Sequence, residues 1–184
     1  GGHSDLIAGA CMGRADIMAQ GAEMRTIGGS MADPHTAWLL TRSLETLHLR
    51  MERSQVNAIT LAERLTGHSK VVEVLTAGGA LASPEQQRIF AEQCAGPGST
   101  LSIRLDGGEA EAFRFLDSLT LFKLAVSLGG SESLASHPSS MTHSDYTSEA
   151  KARCGIGDNL VRLSVGIENV EDLWVDLAQA LDRI

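Results

Sequence analysis

Between Asp33 and Gly67 a single apolar stripe runs longer than an ordinary globular helix requires. Leu40, Leu44, Leu47 and Met51 recur along it, and the pattern resumes at Ala58, Leu61 and Leu65. These intervals keep the apolar side chains on one helical face. Glu45, Glu52, Arg53 and Glu63 fall mostly elsewhere. Asp33 suits the N-cap, and Pro34 suits the first helical position, where a missing N–H costs nothing. The spacing predicts either two consecutive helices or one long kinked helix joining two domains.

On either side of the stripe the pattern changes. Leu6 to Met12, apolar and rich in Gly and Ala, predicts a buried strand. Residues from about Arg14 to Met24 are loosely helical, and Gly28-Gly29-Ser30 is a loop. Beyond Gly67, short strands and helices alternate. Strands are expected at Val71 to Leu75, Thr100 to Leu105, Lys123 to Leu128 and Leu160 to Val165. Helices are expected from Ser83-Pro84-Glu85 to about Cys94, from Glu109 to Leu119 with Phe113, Leu116 and Leu119 on one side, and from Val170 to Leu181. Ser131 to Thr147 is a polar loop. The pattern gives an α+β or α/β unit with a helical lead-in.

Charge and composition remove whole classes of function. Fifteen basic against 23 acidic residues leave a net charge of −8, with no Lys/Arg stripe to follow a phosphate backbone. Seven aromatic residues provide little for base stacking. Nucleic acid is therefore not an expected partner. Nor is a membrane, since no apolar run approaches the ~20 residues needed to span one. Cys11, Cys94 and Cys154 form no Cys-x-x-Cys pair, which suits a reducing cytoplasm. The Gly1-Gly2-His3-Ser4-Asp5 start has no signal-peptide pattern and no initiator Met, so the chain is expected to begin inside a longer protein.

Few residue clusters suggest chemistry. No Gly-x-Gly-x-x-Gly or Walker-type loop is present. Gly28-Gly29 and Gly78-Gly79 read as turns. His137 and His143 lie close in sequence with Asp145 nearby, but the segment reads as a structural or substrate-facing turn rather than a metal site. Arg162 is more informative. In Leu160-Val161-Arg162-Leu163-Ser164-Val165 the strand period puts Val161, Leu163 and Val165 on one face and Leu160, Arg162 and Ser164 on the other. A guanidinium in so apolar a strand needs an anion, and its planar fork fits a carboxylate. The plainer alternative, favoured by the sequence alone, is an internal salt bridge with one of the 23 acids. Ser127 reads equally well as a small polar residue at a strand end.

Several separated segments together resemble the Cys/Met-metabolism family of pyridoxal-phosphate enzymes. Gly2-His3-Ser4-Asp5 and the following run look like the family's segment just after its cofactor lysine. Arg42, Leu44, Thr46-Leu47, Arg50-Met51 and Asn57-Ala58 are similar to its long-helix pattern. The resemblance continues in Ala125-Val126-Ser127-Leu128-Gly129-Gly130, Glu132-Ser133-Leu134, His137-Pro138 and Met141-Thr142-His143-Ser144. It ends in Leu160-Val161-Arg162-Leu163-Ser164-Val165-Gly166-Ile167-Glu168, and so covers essentially the whole chain.

The resemblance implies an α/β fold of the fold-type-I, aspartate-aminotransferase-like kind, with pyridoxal 5'-phosphate as cofactor. Residues 1–50 would finish the large cofactor-binding domain and the linking helix, and residues 51–184 would form the small C-terminal domain. Arg162 would clamp the substrate α-carboxylate with Ser127 assisting, and Thr142 would lie near the substrate side chain. The Schiff-base lysine is expected just before Gly1, and none of Lys70, Lys123 or Lys151 occupies its motif position, so this piece alone should be inactive. Cystathionine-handling members commonly carry an acid where this chain has Val126. That residue therefore points to an uncharged thioether and to α,γ-elimination of L-methionine into methanethiol, 2-oxobutanoate and ammonia. γ-Replacement, as in O-acyl-homoserine sulfhydrylase or cystathionine γ-synthase, is the alternative, with cystathionine γ-lyase beside it. A dimerisation or interaction domain without a catalytic half is the non-enzyme alternative. The family resemblance further implies a homo-oligomer, dimer or tetramer.

Overall fold

Helix α1 (Ala15–Gly28) buries none of its residues. It precedes α2 (Pro34–Leu44), where the Asp33 carboxylate accepts hydrogen bonds from the backbone N–H groups of His35 and Thr36 at 2.9 and 3.1 Å. That cap satisfies donors that a first helical turn leaves unpaired. The long stripe then continues in α3 (Leu47–Leu65), so of the two arrangements anticipated the chain adopts consecutive helices. The computed structural model describes residues 1–79 and 82–184, and the chain divides into two units, Gly1–His48 and Leu49–Ile184.

In the second unit strands and helices alternate: β1 (Val71–Leu75), α4 (Pro84–Gln93), β2 (Thr100–Leu105), α5 (Glu109–Ser118), β3 (Lys123–Leu124), β4 (Leu134–Ser136), α6 (Ser148–Arg153), β5 (Leu160–Ser164) and α7 (Val170–Leu181). The five strands form one mixed sheet in the order β1-β2-β5-β4-β3. Pairing is antiparallel except between β3 and β4. The architecture is mixed α/β.

Alternation along β2 and β5 decides which face is dry. Leu101, Ile103 and Leu105 of β2 and Val161 and Leu163 of β5 join a core with Phe115 of α5, Leu173, Leu177 and Leu181 of α7, and Leu61 and Leu65 of α3. Fully burying one such Leu or Phe side chain contributes about 1.5–3 kcal/mol. A buried carboxylate ties α7 to the chain entering β3. Asp176, 3% exposed, accepts hydrogen bonds from the backbone N–H groups of Thr120, Leu121 and Phe122 and from the Thr120 hydroxyl, at 2.7–2.9 Å. Burial alone would raise its pKa, but these donors together hold it below the ordinary aspartate value.

Several expectations are corrected. Leu6 to Met12 forms no strand, and Ile7 and Met12 are 98% and 90% exposed. A strand needs a neighbour for its backbone groups, and none of the described residues pairs with this run. Lys123 to Leu128 is a strand over its first two residues only. The supposed polar loop from Ser131 to Thr147 contains β4, whose three residues are all buried. Its serines disguised a strand that is paired on both sides. Phe113 is half-exposed rather than in the core, while Ala112, Phe115 and Leu116 form the buried side of α5. The front half of the stripe is also open: Leu44, Leu47 and Met51 are 56%, 40% and 39% exposed.

Candidate functional site

The β-ladder lays a short polar row across the face of the sheet opposite the core. Ser102 of β2 and Ser136 of β4 are the two cross-strand partners of Arg162, and directly opposite residues share a face. Arg162 is half-buried between its neighbours Val161 and Leu163, both fully buried toward the other side.

The segment joining β3 to β4 is pinned beside this row. The Ala125 N–H donates to the Ala135 carbonyl at 3.0 Å, and the Gly129 N–H donates to the Ser164 hydroxyl at 2.9 Å. Gly129 has φ +73°, a conformation that side-chain-bearing residues rarely adopt. Farther on, the Ser133 N–H and hydroxyl donate to the Glu168 carboxylate at 2.6 and 2.9 Å, while the Asn57 amide donates to the carbonyls of Gly166 and Glu168. Gly166 must be glycine for a different reason: a Cβ there would come within 2.2 Å of the Ser131 carbonyl oxygen.

This pinning aims two carbonyls at the arginine. Arg162 Nη2 donates to Val126 O at 2.8 Å and to Ser127 O at 2.9 Å. None of the ion pairs among the described residues includes Arg162, so the internal salt bridge that the sequence favoured is not formed. The strand places the guanidinium among backbone carbonyls and serines, where no acid reaches it. Burial consequently pushes the Arg162 pKa below its ordinary value with no opposing carboxylate, although an arginine so placed remains charged. Its Nε is buried and has no hydrogen-bond partner, as is the Ser136 hydroxyl oxygen. A cation with unused donors and no internal anion is suited to an external carboxylate.

Val126, Ser127 and Arg162 are thus brought together. Ser127 contributes its carbonyl, and the Val126 side chain is 54% exposed. Thr142 is exposed on the turn that follows β4. Its hydroxyl donates to Pro138 O at 3.4 Å and lies 2.8 Å from His143 Nδ1, and it makes no hydrogen bond to the other three. That turn is held by His137, 1% exposed, with Nδ1 2.8 Å from the Ser140 hydroxyl and Nε2 2.7 Å from the Asp158 carbonyl. The sequence reading missed Ser136. Only the ladder register puts it beside Arg162, and the run Leu134-Ala135-Ser136 is too short to announce a strand.

Known proteins resemble this chain over nearly its whole length. The family described as Cys/Met metabolism PLP-dependent enzyme matches residues 1–182. An L-methionine γ-lyase of Pseudomonas putida is 44% identical over 98% of this chain and 45% of its own length. A chloroplastic cystathionine γ-synthase of Nicotiana tabacum is 36% identical over 100% of the chain and 34% of its own. Among solved structures, a cystathionine γ-synthase from Xanthomonas oryzae pv. oryzae, in complex with aminoacrylate and cysteine, superposes with a TM-score of 0.91 at 43% identity. It covers 99% of this chain and 47% of its own. The chain therefore spans less than half the length of these relatives.

Proposed function

The chain belongs to the Cys/Met-metabolism family of pyridoxal-phosphate-dependent enzymes, and on that premise we propose that the complete protein is a carbon–sulfur lyase that α,γ-eliminates L-methionine to methanethiol, 2-oxobutanoate and ammonia. The observation that carries this reading is Arg162: a cation on an apolar strand, steadied by two carbonyls and left without an internal acid. An amino-acid α-carboxylate supplies the missing anion, and Ser127 lies beside it. Val126 presents an apolar surface suited to a thioether, and Thr142 lies on the side-chain side of the substrate.

The described residues fit the substrate's carboxylate end and do not fit the cofactor's covalent anchor. Lys123 Nζ donates to Thr120 O at 2.5 Å, and Lys151 Nζ donates to Ser139 O at 2.8 Å. Lys70 lies just before β1, at the far edge of the sheet from β3. In this reading the anchoring lysine belongs to the part of the complete protein that this chain does not cover. Pyridoxal phosphate supplies the electron withdrawal at the α-carbon; this chain contributes orientation.

Residues 1–50 would complete the large cofactor-binding domain and residues 51–184 would form the small one. The complete protein would be a homo-oligomer, dimer or tetramer, in the cytoplasm. The exposed apolar residues of α1, Ile17, Met24 and Ile27, support the first point, and three exposed free thiols support the second. A second reading, γ-replacement, draws on the 43% identity to the solved cystathionine γ-synthase. Assaying the cofactor-loaded complete protein separates the two. L-methionine alone should release 2-oxobutanoate and thiol. Product formed only from an O-acyl-homoserine plus a thiol would favour replacement. A monomer by light scattering at micromolar concentration, with activity retained, would refute the oligomer.

A further inference from the structure

Among the described residues two buried side-chain polar atoms have no hydrogen-bond partner, and the ladder sets their residues opposite each other. Ser136 Oγ and Arg162 Nε belong to the residue pair that faces across β4 and β5. Ser136 is 0% exposed, so water does not replace the missing partner. The two groups are chemically complementary, because an arginine Nε–H can only donate, whereas a serine hydroxyl can accept. Native proteins rarely leave one such group unpaired, and two adjacent ones call for an explanation.

The arrangement around the fork supplies it. Nη2 has two hydrogens, and the carbonyls of Val126 and Ser127 occupy both directions. A carboxylate that takes one hydrogen from each terminal nitrogen competes with one of those carbonyls at Nη2 and leaves Nε–H for a partner on the ladder. The two cross-strand serines flank Arg162. On one flank lies Ser136 with its oxygen free; on the other lies Ser102, half-buried, whose oxygen is not among the buried unpaired atoms.

We propose that Ser136 is a positioning residue for Arg162, its hydroxyl accepting the Nε proton when a substrate carboxylate engages the guanidinium. This inference rests on the carboxylate-clamp reading given under Proposed function. The two groups make no hydrogen bond in this structure, and the carboxylate would bring them together. Ser136 then shapes the orientation of the fork without touching the substrate.

Isothermal titration of the cofactor-loaded complete protein tests this with two probes: L-norleucine, a non-cleavable analogue of methionine, and n-pentylamine, the same molecule without its carboxylate. Ser136→Ala should raise the norleucine Kd roughly tenfold and leave that of pentylamine within twofold. Ser102→Ala should leave both within twofold. The melting temperature of unliganded Ser136→Ala should equal or exceed that of the wild type, because the hydroxyl it removes is unpaired in that state. Equal weakening of both probes, no weakening of norleucine, the same loss in Ser102→Ala, or a clear fall in the unliganded melting temperature would each overturn the proposal. Arg162→Lys separates the two levels of argument. If it does not weaken norleucine relative to pentylamine, the carboxylate clamp itself fails. If it does while Ser136→Ala has no effect, only the role of Ser136 fails.

Discussion

Residues 1–48 and residues 49–184 have comparable apolar sequences and opposite burial. In the first unit no described hydrophobic residue is buried; Ile7, Met24, Ile27 and Trp38 are 98%, 75%, 81% and 59% exposed. In the second, Leu61, Ile103, Phe115, Leu163 and Leu177 are all fully buried. Helical propensity and a good cap suffice to form α1 and α2, but helices gain most of their stability from packing a face. The second unit has a sheet to pack against.

The sharpest test of this contrast is a matched pair of truncations. Phe115→Ala should cost about 3–5 kcal/mol in urea unfolding, because it opens a cavity in the core. Ile27→Ala, in the first unit, should change stability by less than about 0.5 kcal/mol in this chain, as exposed substitutions do. A comparable loss from Ile27→Ala would show that the first unit has a core of its own. The next largest effect tests whether the second unit's rigidity serves the site. Arg162→Lys in the complete enzyme keeps the charge but loses the planar fork, and should lower kcat/KM by roughly 10²-fold, or ~3 kcal/mol. The visible absorbance of the bound cofactor should be unchanged. Near-normal kcat/KM would reduce Arg162 to a structural role.

Asp176 offers a smaller effect within the second unit. Asp176→Asn puts an amide where three backbone N–H groups point, and should cost about 2 kcal/mol by denaturant titration. Its pH dependence follows from the lowered pKa of Asp176. A carboxyl depressed by folding stabilises fully above its unfolded value, about 3.9, and that contribution is lost as pH falls through the lower folded value. Wild-type stability should therefore decline below about pH 4, and the decline should be shallower in the Asn variant. Equal slopes would show that other carboxyls dominate. The smallest effect belongs to specificity. Val126→Glu should shift preference from methionine towards cystathionine by roughly 1–2 kcal/mol, since a carboxylate facing a thioether has no partner. A wild type that already prefers cystathionine would break that premise.

How much of this was legible beforehand depends on the range of the interaction. The Asp33-Pro34 helix start, the strands at Val71, Thr100 and Leu160, and the helices at Glu109 and Val170 were readable because caps and periodicity act over a few residues. Arg162 was singled out for the same reason, as one charge within a local apolar alternation. The failures lie where pairing is distant. Leu6 to Met12 has a strand's composition but no strand beside it, while Leu134-Ala135-Ser136 has a loop's composition and two strand neighbours.

By itself, then, the sequence determined the capped helix start at Asp33-Pro34 and the alternating strands at Thr100 and Leu160, and it singled out Arg162 as a lone charge among apolar residues. Whether an acid of the chain itself meets that charge was a tertiary matter. The β4–β5 register, the pinned segment from Ala125 to Ser133 and the carbonyls of Val126 and Ser127 decided it. Periodicity is set by backbone geometry one turn or one pleat at a time. The partner of a buried charge is set by residues more than 30 positions away, whose proximity exists only once the sheet has closed.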